Sequence, residues 1–342
     1  MQHSFGSDER PRVKLPLSIA FAANPRTQAI IDGRATADGI DMIANIVHPS
    51  ELFWRQLKFA DWDVAEMSFS SLMMAIANGD DRFIGLPIFT TRRFFHSHIL
   101  VRRDSAIEKP ADLKGRRVGV TEYQQTAALW IRGALTHEFC VTPQDLHFFM
   151  ERTPSHSHGG ATGFKPPPGV TLEFIPPEKN IGDMVISGEL DAALHYRGVK
   201  SLVNRSGADL RNHPQVRTLF PDPVAEGVRY YRKTGLYPIN HGMCIKRELA
   251  ERHPWVVLNI MKAFERANQL AEDARLEHVE YHIDTGLLPA SARADLARTV
   301  VRHGIAANRL VLETAARYSL EQGLTPRLMR LDEVFANSTL GQ

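Results

Sequence analysis

The sequence has 342 residues and a formal net charge of +2 at pH 7. A chain of this length buries a substantial core and is typical of two lobes or domains of ordinary size. Because the charge is nearly balanced, we expect no nucleic-acid partner. The two cysteines, Cys140 and Cys244, are too few for a disulfide scaffold or a zinc cluster, and we expect free thiols in a reduced compartment.

The N-terminal stretch MQHSFGSDERPRVKLPLSIAF carries charges where a secretory signal needs an apolar core. No segment approaches the roughly 20 apolar residues that a membrane span requires. We therefore expect a cytoplasmic protein without a membrane partner.

Short apolar runs rich in Ile, Val and Phe alternate with longer stretches of helical period, which is typical of an α/β protein. Strands are predicted at Leu17–Phe21, Met42–Val47, Asp63–Met67, Phe83–Phe89, His98–Arg102, Arg117–Val120, Thr171–Ile175, Ala192–His195 and Met243–Lys246. Helices are predicted at Pro49–Phe59, Ser70–Ala77, Glu122–Phe139, Ile181–Ser187, Pro254–Ala274, Ser291–His303 and Arg309–Gln322.

A low-complexity stretch, TPSHSHGGATGFKPPPG, covers residues 153–169. Its content of Pro, Gly and Ser predicts an irregular surface loop with no structural role. His156 and His158 could contact a metal, but no third ligand follows at a fixed spacing, so solvated side chains are the simpler interpretation.

The stretch TEYQQTAALWIRG predicts a helix that begins directly after a strand. Thr121 and Gln124 have the spacing of a capping box. Free backbone N–H groups in the first turn, with Tyr123, Gln124 and Thr126, would also suit a carboxylate or similar anion. An ordinary helix cap and an anion site are equally compatible with this stretch.

Other polar residues follow predicted strands, and ligands of open α/β sheets bind at the carboxyl ends of strands. Arg26 follows the first strand, and Glu66 and Ser68 end the third. Each has a simpler interpretation, since Arg26 could be a surface cation and Glu66 could cap the next helix.

The stretch FTTRRFFHSHILVRRDS places Arg92 and Arg93 in a turn before His96 and His98. Alternation along a strand would put both histidines on one face. Such a pair can form half of a metal site, although no further ligand completes it, and polar residues at a strand edge are the alternative.

Two later predicted strands carry polar residues at their ends. The residues 195–197 (His-Tyr-Arg) end one strand, and Asn240 and His241 precede another.

Three blocks of the sequence resemble the 4,5-dihydroxyphthalate decarboxylases. These blocks are DVAEMSFSSLMMAIANGD, FFHSHILVRRDSAIEKPADLKGRRVGVTEYQQTAALWIRG and LFPDPVAEGVRYYRKTGLYPINHGMCIKRELAERHPWVVLNIMKAF. The similarity runs from about Leu17 to about Phe335. The chain departs from the family pattern at two positions, Thr121 and Phe95. At the position of Phe95 the family pattern has an arginine, for which Arg93 could substitute.

The resemblance implies a two-lobed α/β fold like that of type 2 periplasmic solute-binding proteins, with a ligand cleft between the lobes. Lobe one would comprise residues 14–102 and 236–342, and lobe two residues 103–235. The stretch LVRRDSAIEKPADLKGRRVGV would be the first crossing between lobes, and KTGLYPINH the return.

The resemblance also implies the conversion of 4,5-dihydroxyphthalate to 3,4-dihydroxybenzoate and CO2. The ring hydroxyl para to the departing carboxylate can supply electrons, so we expect no cofactor and no metal. Such a site needs proton-transfer groups, cations for the retained carboxylate and a drier pocket for the departing one.

Site residues are assigned on the same basis. His96 is predicted to donate the proton to carbon, with Glu66 or His241 assisting at the phenols. Arginine suits carboxylate clamping because of its guanidinium fork. The predicted substrate-binding residues are Arg26, Ser68, Arg93, Ser97, His98, Tyr123, Gln124, Thr126 and Arg197.

Two other functions share this scaffold. A non-catalytic solute-binding protein for an aromatic carboxylate would use the same cleft, but it normally requires export. Another lyase, such as a dehydratase resembling the chorismate dehydratases, is the second alternative. The sequence leaves open the exact aromatic acid and whether the chain forms a homo-oligomer.

Overall fold

The computed structural model describes residues 13–196, 198–296 and 301–342. Within these ranges the chain forms two β-sheets with helices packed against them. Arg197, a predicted substrate-binding residue, lies outside the described residues, as do residues 297–300 of the predicted helix 291–303.

The strands of the described ranges are, in chain order, β1 (Leu15–Phe21), β2 (Ile40–Ile46), β3 (Val64–Ser68), β4 (Phe83–Arg92), β5 (Leu100–Arg102), β6 (Arg117–Val120), β7 (His147–Met150), β8 (Thr171–Phe174), β9 (Ala192–His195), β10 (Val216–Thr218) and β11 (Ile239–Lys246).

The helices are α1 (Gln28–Ile31), α2 (Pro49–Phe59), α3 (Phe69–Ala77), α4 (Thr126–Phe139), α5 (His158–Thr162), α6 (Ile181–Ser187), α7 (Pro223–Thr234), α8 (Arg247–Arg252), α9 (Pro254–Asp284), α10 (Ala292–Leu296), α11 (Arg309–Glu321) and α12 (Leu331–Val334). In the described part of the chain, no helix combines the length and the apolar character needed to cross a membrane.

The first sheet has the strand order β2-β1-β3-β11-β4. β1 runs parallel to β2 and β3, whereas β11 runs antiparallel to both β3 and β4. β11 comes from the C-terminal half of the chain, and α9 packs with α1 and β4 over the same sheet. Both ends of the chain therefore build this lobe.

The second sheet has the order β10-β5-β9-β6-β7-β8. β6, β7 and β8 are parallel, β9 is parallel to β6, and β5 is antiparallel to β9 and β10. Because β4 belongs to the first sheet and β5 to the second, the chain first crosses between residues 92 and 100. This crossing precedes the predicted boundary after residue 102, because hydrogen bonds to β9 and β10 fix β5 in lobe two.

Two sequence-based elements differ in their details. His96 and His98 lie in a 3-10 turn, not on one face of a strand. α4 begins at Thr126, and the predicted Thr121–Gln124 capping box is absent. Instead the Gln124 amide donates to the carboxylate of Glu122 and to the Ser157 hydroxyl, so its side chain is used in the protein interior.

The low-complexity stretch, residues 153–169, is not the irregular surface loop that its composition predicts. It contains α5, which packs against α2 and α3 of the first lobe. The side chain of Ser157 caps this helix by accepting from the backbone N–H of Gly159. The segment therefore joins the two lobes, and the interpretation of an incidental surface loop is wrong.

α11 packs on α4 and α3 and so contacts helices from both lobes. Arg132 of α4 is fully buried, and its guanidinium donates to the backbone carbonyl of Tyr123 and to Gln322 Oε1, at 2.6 and 2.8 Å. Gln322 in turn donates to the carbonyl of Leu129. These hydrogen bonds satisfy polar groups that would otherwise be costly to bury.

Gly133 provides a direct test of the contact between α4 and α11. A Cβ atom at this position would lie 2.2 Å from the ring of Tyr318. Overpacking of this kind costs about 1–3 kcal/mol, so Gly133→Ala should lower the free energy of unfolding by that amount. Urea denaturation measures the change, with Gly341→Ala as the control because a Cβ there meets nothing within 4 Å. Equal stability of the two variants would contradict this packing.

Candidate active site

A cavity of about 110 Å³ lies between the two lobes. It adjoins an outer cavity of about 680 Å³, since Pro49, Thr91, Arg93 and His241 line both. The inner cavity is lined from the first lobe by Ser50, Phe53, Ser68, Asn240 and His241, and from the second by Thr121, Gln125, Thr126, Ala127, Arg152, His158, His195 and Asn204. Many of these residues follow the carboxyl ends of strands, as the sequence predicts.

The first functional unit of the cavity is a pair of Glu66 and His241. Glu66 is 0% exposed, and one carboxylate oxygen accepts from His241 Nδ1 at 2.8 Å and from the Thr90 hydroxyl at 2.6 Å. The other oxygen accepts from the backbone N–H of Ala22 at 2.8 Å. Burial alone would raise the pKa of Glu66, but the hydrogen bonds and charge of His241, with those from Ala22 and Thr90, leave it below its ordinary value.

This pair fixes how His241 faces the cavity. A carboxylate only accepts hydrogen bonds, so His241 donates from Nδ1, and in the neutral imidazole Nε2 is the accepting nitrogen. The Nε2 atom lies 2.7 Å from the side-chain amide of Asn240. The ring of Phe53 meets the imidazole edge to face, with centroids 4.7 Å apart. The arrangement is that of a carboxylate-oriented acid–base group.

Helix α2 supplies Phe53. The helix begins at Pro49, where the missing N–H and fixed φ suit a first helical position. His48 caps it by accepting from the backbone N–H of Ser50. This start places Ser50 and Phe53 on the cavity wall.

A second buried carboxylate, Glu122, lies on the other side of the cavity. Its oxygens accept from Arg152 Nη1 at 2.7 Å and from His158 Nε2 at 3.2 Å. The other imidazole nitrogen of His158 is 2.8 Å from the Ser71 hydroxyl. Burial, with the charges of Arg152 and His241, lowers the pKa of His158 to about 4 although Glu122 opposes the shift. His158 is therefore neutral at pH 7, and Glu122 and Ser71 hold its two ring nitrogens.

The first turn of α4 forms the third unit. Gln125 is the N-cap, no side chain caps the helix, and Gln125, Thr126 and Ala127 line the cavity. The Thr126 hydroxyl is held by Ser68 Oγ at 2.9 Å. The buried Gln125 Nε2 has no hydrogen-bond partner among the described residues. Backbone N–H groups and the positive end of the helix dipole make this turn suitable for a carboxylate.

The structure brings together six of the predicted site residues. Ser68, Arg93, Thr126 and His241 line the inner cavity. Glu66 and Gln124 lie directly behind it, where they hold His241 and Glu122. Glu66 is fully enclosed and therefore acts through His241.

His96 lies outside this cavity. It is 2% exposed, its Nε2 is 3.0 Å from Glu226 Oε1, and its ring packs on Tyr230 with centroids 4.6 Å apart. Glu226 also accepts from Arg229. These contacts occupy the imidazole in the interlobe crossing, so the structure gives no support to His96 as the proton donor.

Four other predicted residues also fail to line the cavity. Ser97 donates to the carbonyl of Phe94, and His98 lies in the same 3-10 turn as His96. Tyr123 is fully buried beneath the guanidinium of Arg132. Arg26 Nη1 donates to the backbone carbonyl of Thr90 at 3.5 Å, and Arg26 is not among the lining residues of the cavity.

Sequence reasoning missed several lining residues, above all Phe53, Arg152 and His158. Arg152 follows β7, which was not predicted, and that strand end was the signal that could have identified it. His158 stands in the stretch rich in Gly and Pro, where composition alone favoured a solvated loop.

Glu226 offers a test of the structural role of His96. Burial would raise the pKa of Glu226, but hydrogen bonds from Arg229 and His96 lower it to about 2. Because the pKa of Glu226 is lower in the folded than in the unfolded state, its ionised form stabilises the fold at pH values above about 4.5, the unfolded-state pKa. This stabilisation is lost as the pH falls toward 2. Glu226→Gln should therefore be less stable than the wild type at pH 7, with the difference shrinking between pH 5 and 2. Urea unfolding across this range measures it, and a pH-independent difference would contradict the pairing.

The fold has clear counterparts among solved structures. The periplasmic aliphatic sulphonate binding protein SsuA of Escherichia coli aligns with a TM-score of 0.55 and 16% identity, over 95% of this chain and 92% of SsuA. The alkanesulfonate-binding protein SsuA of Xanthomonas axonopodis pv. citri gives 0.53 and 16%, over 95% and 96%. The desulfurization enzyme DSZB gives 0.51 and 15%, over 96% and 98%. The predicted fold, like that of the periplasmic binding proteins, is confirmed.

The sequence comparisons point to a narrower group. Residues 53–163 match the family model described as "ABC transporter, phosphonate, periplasmic substrate-binding protein". The 4,5-dihydroxyphthalate decarboxylase of Pseudomonas putida is 34% identical over 64% of this chain and 82% of its own length. The 4,5-dihydroxyphthalate decarboxylase of Comamonas testosteroni is 33% identical over 96% of this chain and 98% of its own length. The chain therefore belongs to the 4,5-dihydroxyphthalate decarboxylase family.

Proposed function

We propose that this protein is a carboxy-lyase that converts 4,5-dihydroxyphthalate to 3,4-dihydroxybenzoate and CO2 in the interlobe cavity. Family membership over nearly the whole chain supports this reaction. The structural observation that carries it is the Glu66–His241 pair, which opens on a cavity next to an uncapped helix start. A proton-transfer group and an anion-binding turn thus face the same small space.

The reaction needs a proton at the carbon that loses its carboxylate. The hydroxyl para to that carbon pushes electron density toward it while the carbon takes up the proton. The bond to the carboxylate then breaks, CO2 departs, and the bonding electron pair restores the aromatic ring. One carboxylate and one proton become a ring C–H and CO2, so charge and atoms balance.

His241 is the proton donor in this proposal. When both of its nitrogens are protonated, the ionised Glu66 stabilises the imidazolium through Nδ1. The amide of Asn240, which donates to Nε2 of the neutral ring, then has to turn away so that Nε2 can deliver its proton to the ring carbon. The lowered pKa of Glu66 keeps this carboxylate ionised near neutral pH. Solvent at the cavity mouth returns the proton to His241, which lines both cavities.

The walls of the cavity orient the substrate. The ring of Phe53 offers an apolar surface beside His241. The first turn of α4 binds one carboxylate through its backbone N–H groups, with Gln125 beside it. A substrate bound here would displace water from the cavity, which would strengthen these electrostatic contacts and favour loss of charge as CO2 departs.

Arg93 lines both the inner and the outer cavity. We propose that it guides the dianionic substrate inward, a role that a guanidinium suits. Turnover without a cofactor and a cytoplasmic location remain predictions. In the described ranges, no group of three or more His, Cys, Asp and Glu residues is arranged to hold a metal ion.

His241→Ala tests the proposed chemistry. Loss of a positioned general acid costs about 10²–10⁴-fold in rate, so kcat should fall by that factor while substrate binding changes little. The assay follows CO2 and 3,4-dihydroxybenzoate from 4,5-dihydroxyphthalate in buffer containing EDTA and no added cofactor. Binding is measured separately by calorimetry.

The matched control is His278→Ala, which removes an exposed histidine of α9 that lines neither cavity. It should turn over at the wild-type rate. Near wild-type turnover of His241→Ala would contradict the assignment of the acid. Tight binding by the wild type without any CO2 would instead indicate a solute-binding protein.

A further inference from the structure

Arg152 is a buried cation at the cavity to which the sequence assigns no role. It lies two residues beyond β7, and the pairing of β6 with β7 continues to it through a hydrogen bond from its backbone N–H to the carbonyl of Thr121. Its side chain is 3% exposed and still lines the inner cavity. Arg152 therefore stands at the ligand-binding edge of the second sheet.

Hydrogen bonds to two neighbouring side chains hold the guanidinium of Arg152 in place. Nε and Nη2 donate to Asn204 Oδ1 at 3.1 and 2.8 Å, and Nη1 donates to Glu122 Oε1 at 2.7 Å. A guanidinium has five N–H groups, so one N–H remains on each terminal nitrogen. Two such groups form the fork that binds a carboxylate.

The anchors of Arg152 are themselves fixed. Glu122 is fully buried and also accepts from His158 and Gln124, so it does not reach into the cavity. Asn204 donates its amide to Ser50 Oγ at 3.1 Å, which ties it to the first lobe. A rigidly held cation loses little conformational entropy when it binds an anion.

Arg152 and the first turn of α4 follow neighbouring strands. β6 leads into α4, β7 leads into Arg152, and paired strands lie about 4.8 Å apart. Arg152 and the first turn of α4 thus line one cavity, each just beyond the end of one of two adjacent strands. Carboxylates on adjacent ring carbons present two negative groups in the same side-by-side manner.

We propose that Arg152 binds the second carboxylate of the substrate and thereby makes the site selective for vicinal dicarboxylates over monocarboxylates. This inference rests on the proposed function for the nature of the aromatic ring. It also accounts for release of the product, which has one carboxylate and loses one of the two anion contacts.

Calorimetric binding of phthalate and benzoate tests the proposal. Both lack the ring hydroxyls that drive decarboxylation, so binding is measured without turnover. The wild type should bind phthalate more tightly than benzoate. Arg152→Gln should weaken phthalate binding by about 10- to 100-fold, the usual value of hydrogen bonds to a charged group, and change benzoate binding little.

Three further variants separate binding from folding. Arg152→Lys keeps a positive partner for Glu122 but loses the fork, and it should show the same selective loss. The double variant Arg152→Gln with Glu122→Gln removes both buried charges and should behave likewise, with thermal melting to verify that each variant folds. Arg116→Gln removes an exposed arginine of the same lobe and should bind both ligands as the wild type does.

Equal weakening of phthalate and benzoate in the folded variants would overturn the proposal, since a merely structural Arg152 would affect both. Unchanged phthalate binding would overturn it as well. The proposed function fails separately: a wild type that prefers phthalate but releases no CO2 from 4,5-dihydroxyphthalate would keep the role of Arg152 and remove the decarboxylation.

Discussion

The site depends on one fully buried carboxylate, that of Glu66. An unpaired charge in the interior is prohibitively costly, so Glu66 must be surrounded by donors. Those donors are the backbone of Ala22 after β1, the hydroxyl of Thr90 on β4 and the imidazole of His241 on β11. One side chain thus ties three strands together beside the cavity. Because β11 arrives only after the chain has returned from the second lobe, the proton-transfer group is complete only when both chain ends have assembled.

The second lobe repeats this principle with a different outcome. Glu122 is equally buried, and it holds Arg152 in place of a proton-transfer imidazole. In each lobe, a fully buried carboxylate therefore holds one basic side chain at the cavity wall: Glu66 holds His241, and Glu122 holds Arg152. In the proposed reaction, His241 donates the proton and Arg152 binds a carboxylate.

The ends of secondary-structure elements were predictable from the sequence, because a polar residue beside an apolar run needs only local information. Ser68 at the end of a strand, Thr126 at the start of a helix and His241 before a strand were predicted in this way, and all three line the cavity. The pairing of His96 was not predictable, because its partner, Glu226, stands 130 residues further along the chain. His158 was dismissed because composition does not reveal that α5 docks on the opposite lobe. The local sequence pattern thus identifies candidate site residues near the edge of a sheet. Contacts between residues that are far apart in the chain decide which of these candidates line the cavity.

The central claim is that substrate binds between Phe53, His241, Arg152 and the first turn of α4. A crystal structure of His241→Asn with 4,5-dihydroxyphthalate tests it most directly, because this variant should bind the substrate and turn it over very slowly. We predict one carboxylate at the start of α4, the other on Arg152, and a carboxylate-bearing ring carbon facing position 241. A substrate bound outside this cavity, for example beside His96, would contradict the account.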